Sequence, residues 1–232
     1  MRHVKKTFFD QPAQSLAIAL LGSILRRRVT TAAGDIWLAA RIIETEAYEL
    51  NDRGSHASLG ETPSRRALFM PAGTIYMYYA RGGDSLNFSA RGAGNAVLIK
   101  SGVPHIDARS PAENIAVMQQ FNPATRGPRP LTRLCNGQTL VCKALNLKVP
   151  DWNRQQLRPD EFRLEPASEP AKTFIRCPRL GIPMGRDQDL HYRFVDLGHA
   201  KHCTQNPLTR RGTREGVDYS LHAWPNDSRP TS

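Results

Sequence analysis

An apolar strand pattern that ends in two carboxylates most constrains how this chain can fold. Residues 41–48 read RIIETEAY, so β-branched residues run into Glu44, Glu46 and Tyr48 without a turn signal. Because strand side chains alternate between two faces, these three share a face with Ile42, about 6–7 Å apart from one to the next. A buried carboxylate without partners is costly. Either the strand emerges into solvent at Glu44, or the acids point into a polar cavity.

The charge of the chain favours a polyanionic partner. Its 232 residues include 32 Lys and Arg against 21 Asp and Glu, a formal net charge of +11, and the length suits one large domain. Such an excess favours nucleic acid or an anionic membrane surface. No apolar run approaches the roughly 20 residues that span a bilayer, and residues 1–14 lack the apolar segment of a signal peptide. We expect a soluble intracellular protein.

The cysteines predict neither a disulfide framework nor a metal site. None of the four has CxxC spacing, and a chain of this length folds without disulfides. The cluster His199-x-x-His202-Cys203 lacks the two well-spaced ligand pairs of most structural zinc sites. We expect no metal and no cofactor.

The first third of the chain predicts a helix, a loop and the strand described above. Asp10-Gln11-Pro12 is typical of a helix start, and Leu16, Leu20, Leu21 and Ile24 follow at helical spacing. The arginines at 26–28 favour a solvated loop slightly over a phosphate contact. Residues 51–64 predict a long loop that contains His56, and loops of this length tend to carry function.

The rest of the chain predicts short strands and helices. Strands are expected at 74–80, 86–89, 96–100, 174–177 and 192–195, and short helices at 131–134 and 139–145. Ser110-Pro111-Ala112-Glu113 is a capping-box pattern that predicts a helix start. Residues 150–172 suggest a surface excursion. We expect one folded domain over residues 1–208 and a polar, disordered tail over residues 209–232, as the composition of the tail indicates.

Several motifs are distributed along the chain. They are Asp10-Gln11-Pro12, residues 43–48, His56, Thr62-Pro63, Phe69, residues 73–78, Asn87 and residues 179–182. Together they resemble the alkyladenine (methylpurine) DNA glycosylase family. The resemblance covers roughly residues 8–200 in order, and the ETEAY segment with its downstream histidine and YxY strand is specific.

The resemblance implies a fold and an activity. The fold is α+β: a single compact domain with a mostly antiparallel, curved sheet and surrounding helices. The activity is base-excision DNA repair, in which an alkylated or deaminated purine is flipped out of duplex DNA and its N-glycosidic bond is hydrolysed. The protein would act as a monomer without metal or cofactor, in the cytoplasm at the nucleoid if bacterial and in the nucleus if eukaryotic.

The resemblance also implies roles for individual residues. Glu46 matches the general base that activates water; Tyr48, His56 and Tyr78 match residues that enclose the flipped base, and Asn87 matches one that lines the pocket. A carboxylate can stabilise the charge that grows on the sugar, and a cationic purine stacks well on tyrosine.

Departures from the family pattern concern the cations and the wedge. Lys100 stands where the family usually has Arg, and Thr62-Pro63-Ser64-Arg65 stands for Thr-Pro-Arg-Asn; with Arg66, these cations are expected at the DNA backbone or pocket. The segment between Tyr78 and Asn87 is one residue shorter than in the family. Arg81 or Ala80 therefore falls near the place of the intercalating tyrosine, with Tyr79 as a substitute.

Three functions remain open from the sequence. The first is an active monofunctional purine DNA glycosylase. The second is a catalytically impaired protein that binds damaged or duplex DNA on the same fold. The third, for which the basic surface is the main argument, is a formyltransferase-like or RNA-binding function.

Overall fold

Strand β2 connects the two halves of an antiparallel sheet. The computed structural model describes residues 3–80, 82–167 and 172–224. Their nine strands are β1 (Ile24–Thr31), β2 (Gly34–Tyr48), β3 (Ile75–Ala80), β4 (Gly83–Ser89), β5 (Ala96–Pro104), β6 (Phe162–Glu165), β7 (Thr173–Cys177), β8 (Arg193–Asp196) and β9 (Ser220–Ala223). The order is β3-β4-β5-β2-β8-β7-β9, and β1 pairs with β2 and β6. The first half of β2 pairs with β1, and its second half pairs with β5 and β8.

Short helices surround this sheet. They are α1 (Ala13–Leu20), α2 (Ile115–Phe121), α3 (Leu131–Leu134), α4 (Gln138–Ala144) and α5 (Val149–Trp152). The predicted class, a single compact α+β domain with a curved antiparallel sheet, is confirmed. No helix in the described ranges is long and apolar enough to cross a bilayer.

The ladder between β2 and β5 contains two bulges. Ile43 has no partner on β5, because its neighbours Ile42 and Glu44 pair with the consecutive residues 102 and 101. Lys100 has no partner on β2, because residues 101 and 99 pair with the consecutive residues 44 and 45. An extra residue changes the face to which the following side chains point.

The bulge at Ile43 places the acids of β2 away from the main core. Ile42 lies in that core together with Ala47. Glu44 and Glu46 both face Arg193, which pairs opposite Glu46 on β8 and donates a hydrogen bond to Glu44. The two acids thus share a face, as expected. The expectation that Ile42 shares it is wrong, because the bulge interrupts the alternation between Ile42 and Glu44.

The arginines at 26–28 lie in β1 and not in a solvated loop. Arg26 is buried; its guanidinium donates to Glu165 at 2.8 Å and contacts Asp107. It also donates to the hydroxyl of Ser110 at 2.8 Å. The Ser110 capping box is therefore not formed: a 3₁₀ turn over Ala112–Asn114, without a side-chain cap, precedes α2.

Three further expectations differ from the structure. Ile24 begins β1 and is not part of α1. Residues 150–172 are not a surface excursion throughout, because Trp152 and Phe162 are fully buried with their ring centroids 5.1 Å apart. The segment after residue 208 contains β9, which pairs with β7, because the edge of β7 offers unpaired main-chain groups. A disordered tail therefore does not describe residues 220–223; residues 225–232 lie outside the described residues.

Candidate active site

A cavity of about 960 Å³ opens beside the second half of β2. This volume is near the upper end of the range of about 300–1,000 Å³ that is usual for ligand sites. The cavity is bordered by four strands, by the loop that contains His56, by the start of α4 and by the segment at residues 180–186. The predicted site residues on its wall are Tyr48, His56, Arg65, Tyr78, Asn87 and Lys100.

Glu46 lies behind the wall of this cavity and contacts three of the residues that line it. Its side chain has no exposed surface. Oε2 accepts a hydrogen bond from the Tyr48 hydroxyl at 2.7 Å, and Oε1 lies 3.2 Å from Nζ of Lys100. The backbone N–H of Leu180 points to Oε1 at 3.4 Å. Three cavity-lining residues thus hold the carboxylate in one orientation.

The Glu46 carboxyl is held in its ionised form. Burial by itself raises its pKa, but Lys100, Arg193 and the Tyr48 hydroxyl together outweigh burial, so the pKa lies below its ordinary value. Although Glu44 lies on the same face, the pKa of Glu46 is lowered, because the cations Lys100 of β5 and Arg193 of β8 stand beside it.

Lys100 reaches Glu46 because of its place in the β5 bulge. Its side chain is 13% exposed, and its ammonium also donates to Oε1 of Gln138 at 3.3 Å. Gln138, at the start of α4, donates in turn to the Ser85 hydroxyl at 2.9 Å. The cation is therefore held from both sides, between a carboxylate and an amide.

One wall of the cavity is aromatic. Tyr76 and Tyr78 of β3 stack with centroids 5.5 Å apart and an interplanar angle of 26°. His56 contacts Tyr78 edge to face at 4.7 Å, and its Nδ1 lies 2.9 Å from the Tyr76 hydroxyl. Burial, then Arg65 and Arg186, lower the pKa of His56. Burial raises the pKa of Tyr76 to about 12. At neutral pH this wall is uncharged.

Tyr48 lines the cavity and has a cation against one face of its ring. Burial first, and then Glu46, raise the pKa of its hydroxyl well above the ordinary value, so it remains a donor. The Arg179 guanidinium lies 4.5 Å from the centre of its ring. Arg179 is fixed by a buried ion pair with Asp52 and by a hydrogen bond to the carbonyl of Ala47. Because the cation covers one face of the ring, a ligand can stack only on the other.

The remaining predicted residues occupy different positions. Asn87 is buried, and its amide donates to the carbonyl of Tyr76 at 3.1 Å, which fixes the aromatic strand. Arg65 lines the cavity, whereas Arg66 is exposed outside it. Tyr79 points away from the cavity and is 68% exposed. Arg81 lies outside the described residues.

Sequence reasoning assigned no role to several residues that shape this site. Arg179 and Leu180 were part of a recognised motif, but their contacts with Tyr48 and Glu46 were not foreseen. Arg193 and Gln138 gave no signal at all, because each acts through a partner more than 35 residues away.

The described residues contain no group of three His, Cys, Asp or Glu side chains that could hold a metal ion. The four cysteines are buried and free, and His199 is within 2.8 Å of Asp196. Burial raises the pKa of Cys135 to about 12, so its thiol stays protonated.

The sequence model of the methylpurine-DNA glycosylase family matches residues 7–200. The chain belongs to this family. It is 57% identical over 213 residues to a protein of Pseudomonas savastanoi pv. phaseolicola named "Putative 3-methyladenine DNA glycosylase", covering 91% of this chain and 93% of that protein. A protein of the same name from Pseudomonas aeruginosa is 55% identical over 221 residues, covering 95% and 90%. The DNA-3-methyladenine glycosylase of Mus musculus is 35% identical over 213 residues, covering 87% of this chain and 56% of the mouse protein.

Proposed function

We propose that this protein is a monofunctional purine DNA glycosylase that flips an alkylated or deaminated purine out of duplex DNA and hydrolyses its N-glycosidic bond. Family membership supports the general part of this proposal, that the protein is a DNA glycosylase of DNA repair. One observation supports the mechanism proposed here: an ionised, fully buried carboxylate, Glu46, lies directly behind the wall of a cavity that has an aromatic side.

In this proposal Glu46 is the general base. It takes a proton from a water molecule whose oxygen forms the new bond to the sugar C1′, while the purine leaves with the electron pair of the broken C–N bond. The carboxylate also stabilises the positive charge that grows on the sugar, as carboxylates do in glycoside hydrolysis. Its low pKa favours the ionised form that both roles require.

The aromatic wall would hold the extruded base. Tyr48 and Tyr78 offer ring faces, His56 lies beside Tyr78, and each stacked aromatic contributes about 1–3 kcal/mol. A purine that carries positive charge after alkylation gains further from the electron-rich rings. Asn87 keeps the wall in place through the Tyr76 carbonyl.

Water reaches Glu46 only if a neighbour moves. Oε1 is closed off by the Lys100 ammonium and by the backbone of Leu180, and the carboxylate has no exposed surface. We infer that the Lys100 ammonium shifts when the nucleotide enters, because it is the one of the two groups at Oε1 that ends a flexible side chain, and its 3.3 Å bond to Gln138 is long.

The basic surface would bind the duplex. A net charge of +11 suits a phosphate backbone, and Arg65 at the cavity and the exposed Arg66 are the proposed contacts. Because one chain supplies every residue of the site, we propose that it acts as a monomer. The DNA substrate implies location at the nucleoid in a bacterial cell.

Excision assays test this proposal. Duplex oligonucleotides with hypoxanthine or a methylated purine are incubated with the protein, and abasic sites are cleaved with alkali. We expect strand breaks with at least one lesion, loss of excision with retained DNA binding in Glu46→Gln, and wild-type rates in the exposed control Glu61→Gln. Activity that survives in Glu46→Gln would refute the role of Glu46.

Two other outcomes have specific meanings. Salt-sensitive DNA binding without turnover on any lesion would identify a catalytically impaired binding protein. A covalent adduct trapped by borohydride would identify a lyase with an amine nucleophile, for which Lys100 is the nearest candidate. Hydrolysis through Glu46 forms no adduct, and we expect none.

A further inference from the structure

Glu44, the other acid of the ETEAY segment, has every acceptor position filled from within the protein. Its Oε1 accepts from Nε of Arg193 at 2.7 Å and from the Thr204 hydroxyl at 2.7 Å. Its Oε2 accepts from the Ser101 hydroxyl at 2.6 Å and from the Thr204 backbone N–H at 3.0 Å. Two donors occupy the lone pairs of each oxygen. Glu44 is therefore not available to activate water.

Arg193 stands directly across from Glu46 but does not bond it. Its Cα pairs with that of Glu46 in the β2–β8 ladder. Its guanidinium instead runs diagonally to Glu44 and to Thr204 and the carbonyl of Gln205, at 2.7–3.3 Å. Across the described part of the chain, no hydrogen bond joins Arg193 to Glu46, although its charge lowers the pKa of that carboxyl.

The same network reaches the cavity. Thr204, which bonds both Glu44 and Arg193, is one of the residues that line the cavity wall. The segment after it is fixed by Asn206, whose amide donates to the carbonyls of Ala200 and Thr204. The buried pair therefore connects the back of Glu46 to the wall of the base pocket.

We propose that Glu44 and Arg193 are positioning residues for Glu46: Glu44 holds the Arg193 cation beside the base yet keeps it from bonding the base, and the pair anchors Thr204 in the pocket wall. This inference rests on the proposed role of Glu46. If Arg193 were free to bond Glu46 directly, it would occupy the lone pairs that must accept the proton from water.

The test depends on the charges around Glu46, which come from five parts of the chain. The titratable or charged groups that face it are Lys100 of β5, Arg193 of β8, Tyr48 and Glu44 of β2, Tyr78 of β3, and Cys177 and Arg179 at the end of β7. Substitutions at Glu44 and Arg193 leave the other five groups in place.

The experiment measures single-turnover excision against pH in three variants, each first shown to be folded by circular dichroism. Arg193→Gln removes a cation. The acid limb of the profile, where the rate falls as the pH drops and Glu46 takes up a proton, therefore moves to higher pH by about half a unit or more. Arg193→Lys keeps the charge, so its limb stays with that of the wild type. Glu44→Gln frees the guanidinium to bond Glu46, so the rate falls at least tenfold at every pH without an upward shift.

The double variant Glu44→Gln/Arg193→Gln is the decisive control. Removing the freed guanidinium should restore part of the rate lost in Glu44→Gln. If the acid limbs of all variants coincide with that of the wild type, and the rates follow only the folded fraction, Glu44 and Arg193 have a structural role and the proposal is overturned.

A second measurement distinguishes failure of the positioning role from failure of the proposed glycosylase function. If the wild type excises no lesion, the carboxyl of Glu46 is titrated by ¹³C NMR without DNA. An upward shift of its midpoint in Arg193→Gln but not in Arg193→Lys then supports the positioning role, and an unchanged midpoint in both overturns it.

Discussion

Replacing Lys100 by Met tests the electrostatic arrangement of the site most directly. The substitution removes an ammonium that lies 3.2 Å from Oε1 of Glu46 and leaves a side chain of similar length. At that distance the Coulomb attraction is about 1.3 kcal/mol with the dielectric constant of water and about 5 kcal/mol with an effective value of 20. One pKa unit corresponds to about 1.36 kcal/mol. The pKa of Glu46 should therefore rise by at least about one unit.

The sign of the effect on activity follows from the form of Glu46 that reacts. The carboxylate is the active form, and its pKa is depressed in the folded protein, so excision is lost only as the pH falls through that depressed value. In Lys100→Met the acid limb of the single-turnover profile should move up by about one pH unit or more. The assay follows hypoxanthine release from a duplex between about pH 4.5 and 9.

Two controls separate this effect from a general loss of positive charge. Lys100→Arg keeps the cation, so its acid limb should coincide with that of the wild type. Lys172→Met removes the same charge from an exposed position at the start of β7 and should affect only the salt dependence of DNA binding. A limb that stays in place in Lys100→Met would refute the coupling between Lys100 and Glu46.

Two further variants address stability and DNA distortion. Arg179→Met leaves Asp52 buried without its partner and should lower the free energy of unfolding in urea by about 3–5 kcal/mol. The control Arg91→Met breaks an exposed ion pair and should lower it by about 1 kcal/mol or less. Equal losses in the two variants would contradict this reasoning. If the exposed Tyr79 wedges into the duplex, Tyr79→Ala should slow excision from duplex DNA about fivefold or more but leave excision from single strands unchanged; equal slowing on both substrates would exclude that role.

The local patterns of the chain predicted most of its elements. The strand at 41–48, the aromatic strand at 74–80 and the short helix at 131–134 depend on neighbouring residues and occur nearly as expected. The resemblance assigned pocket positions to five residues that the structure places on the wall of one cavity: Tyr48, His56, Tyr78, Asn87 and Lys100. Their catalytic and binding roles remain predictions.

The wrong expectations share a physical cause, which is a partner distant in sequence. The arginines at 26–28 suggested solvent because Glu165, which pairs with Arg26, is 139 residues away. Ser110 has the pattern of a helix cap, but the same buried guanidinium takes its hydroxyl. The face of Ile42 was wrong because only the pairing with β5 shows where the strand carries an extra residue.

The two bulges make the site sensitive to the number of residues in each strand as well as to their identity. Deleting Ile43 would remove the bulge and make Glu44 the direct neighbour of Ile42, so regular alternation would keep Glu44 and Glu46 on the face opposite Ile42. Deleting Lys100 would remove the cation of the site but leave residues 101 and 99 paired with 44 and 45 in an unbroken ladder. In an evolving gene, a single-codon deletion at a paired position after the bulge, such as Thr45, would exchange the polar and apolar faces of the rest of β2, whereas a deletion at either bulge residue would not.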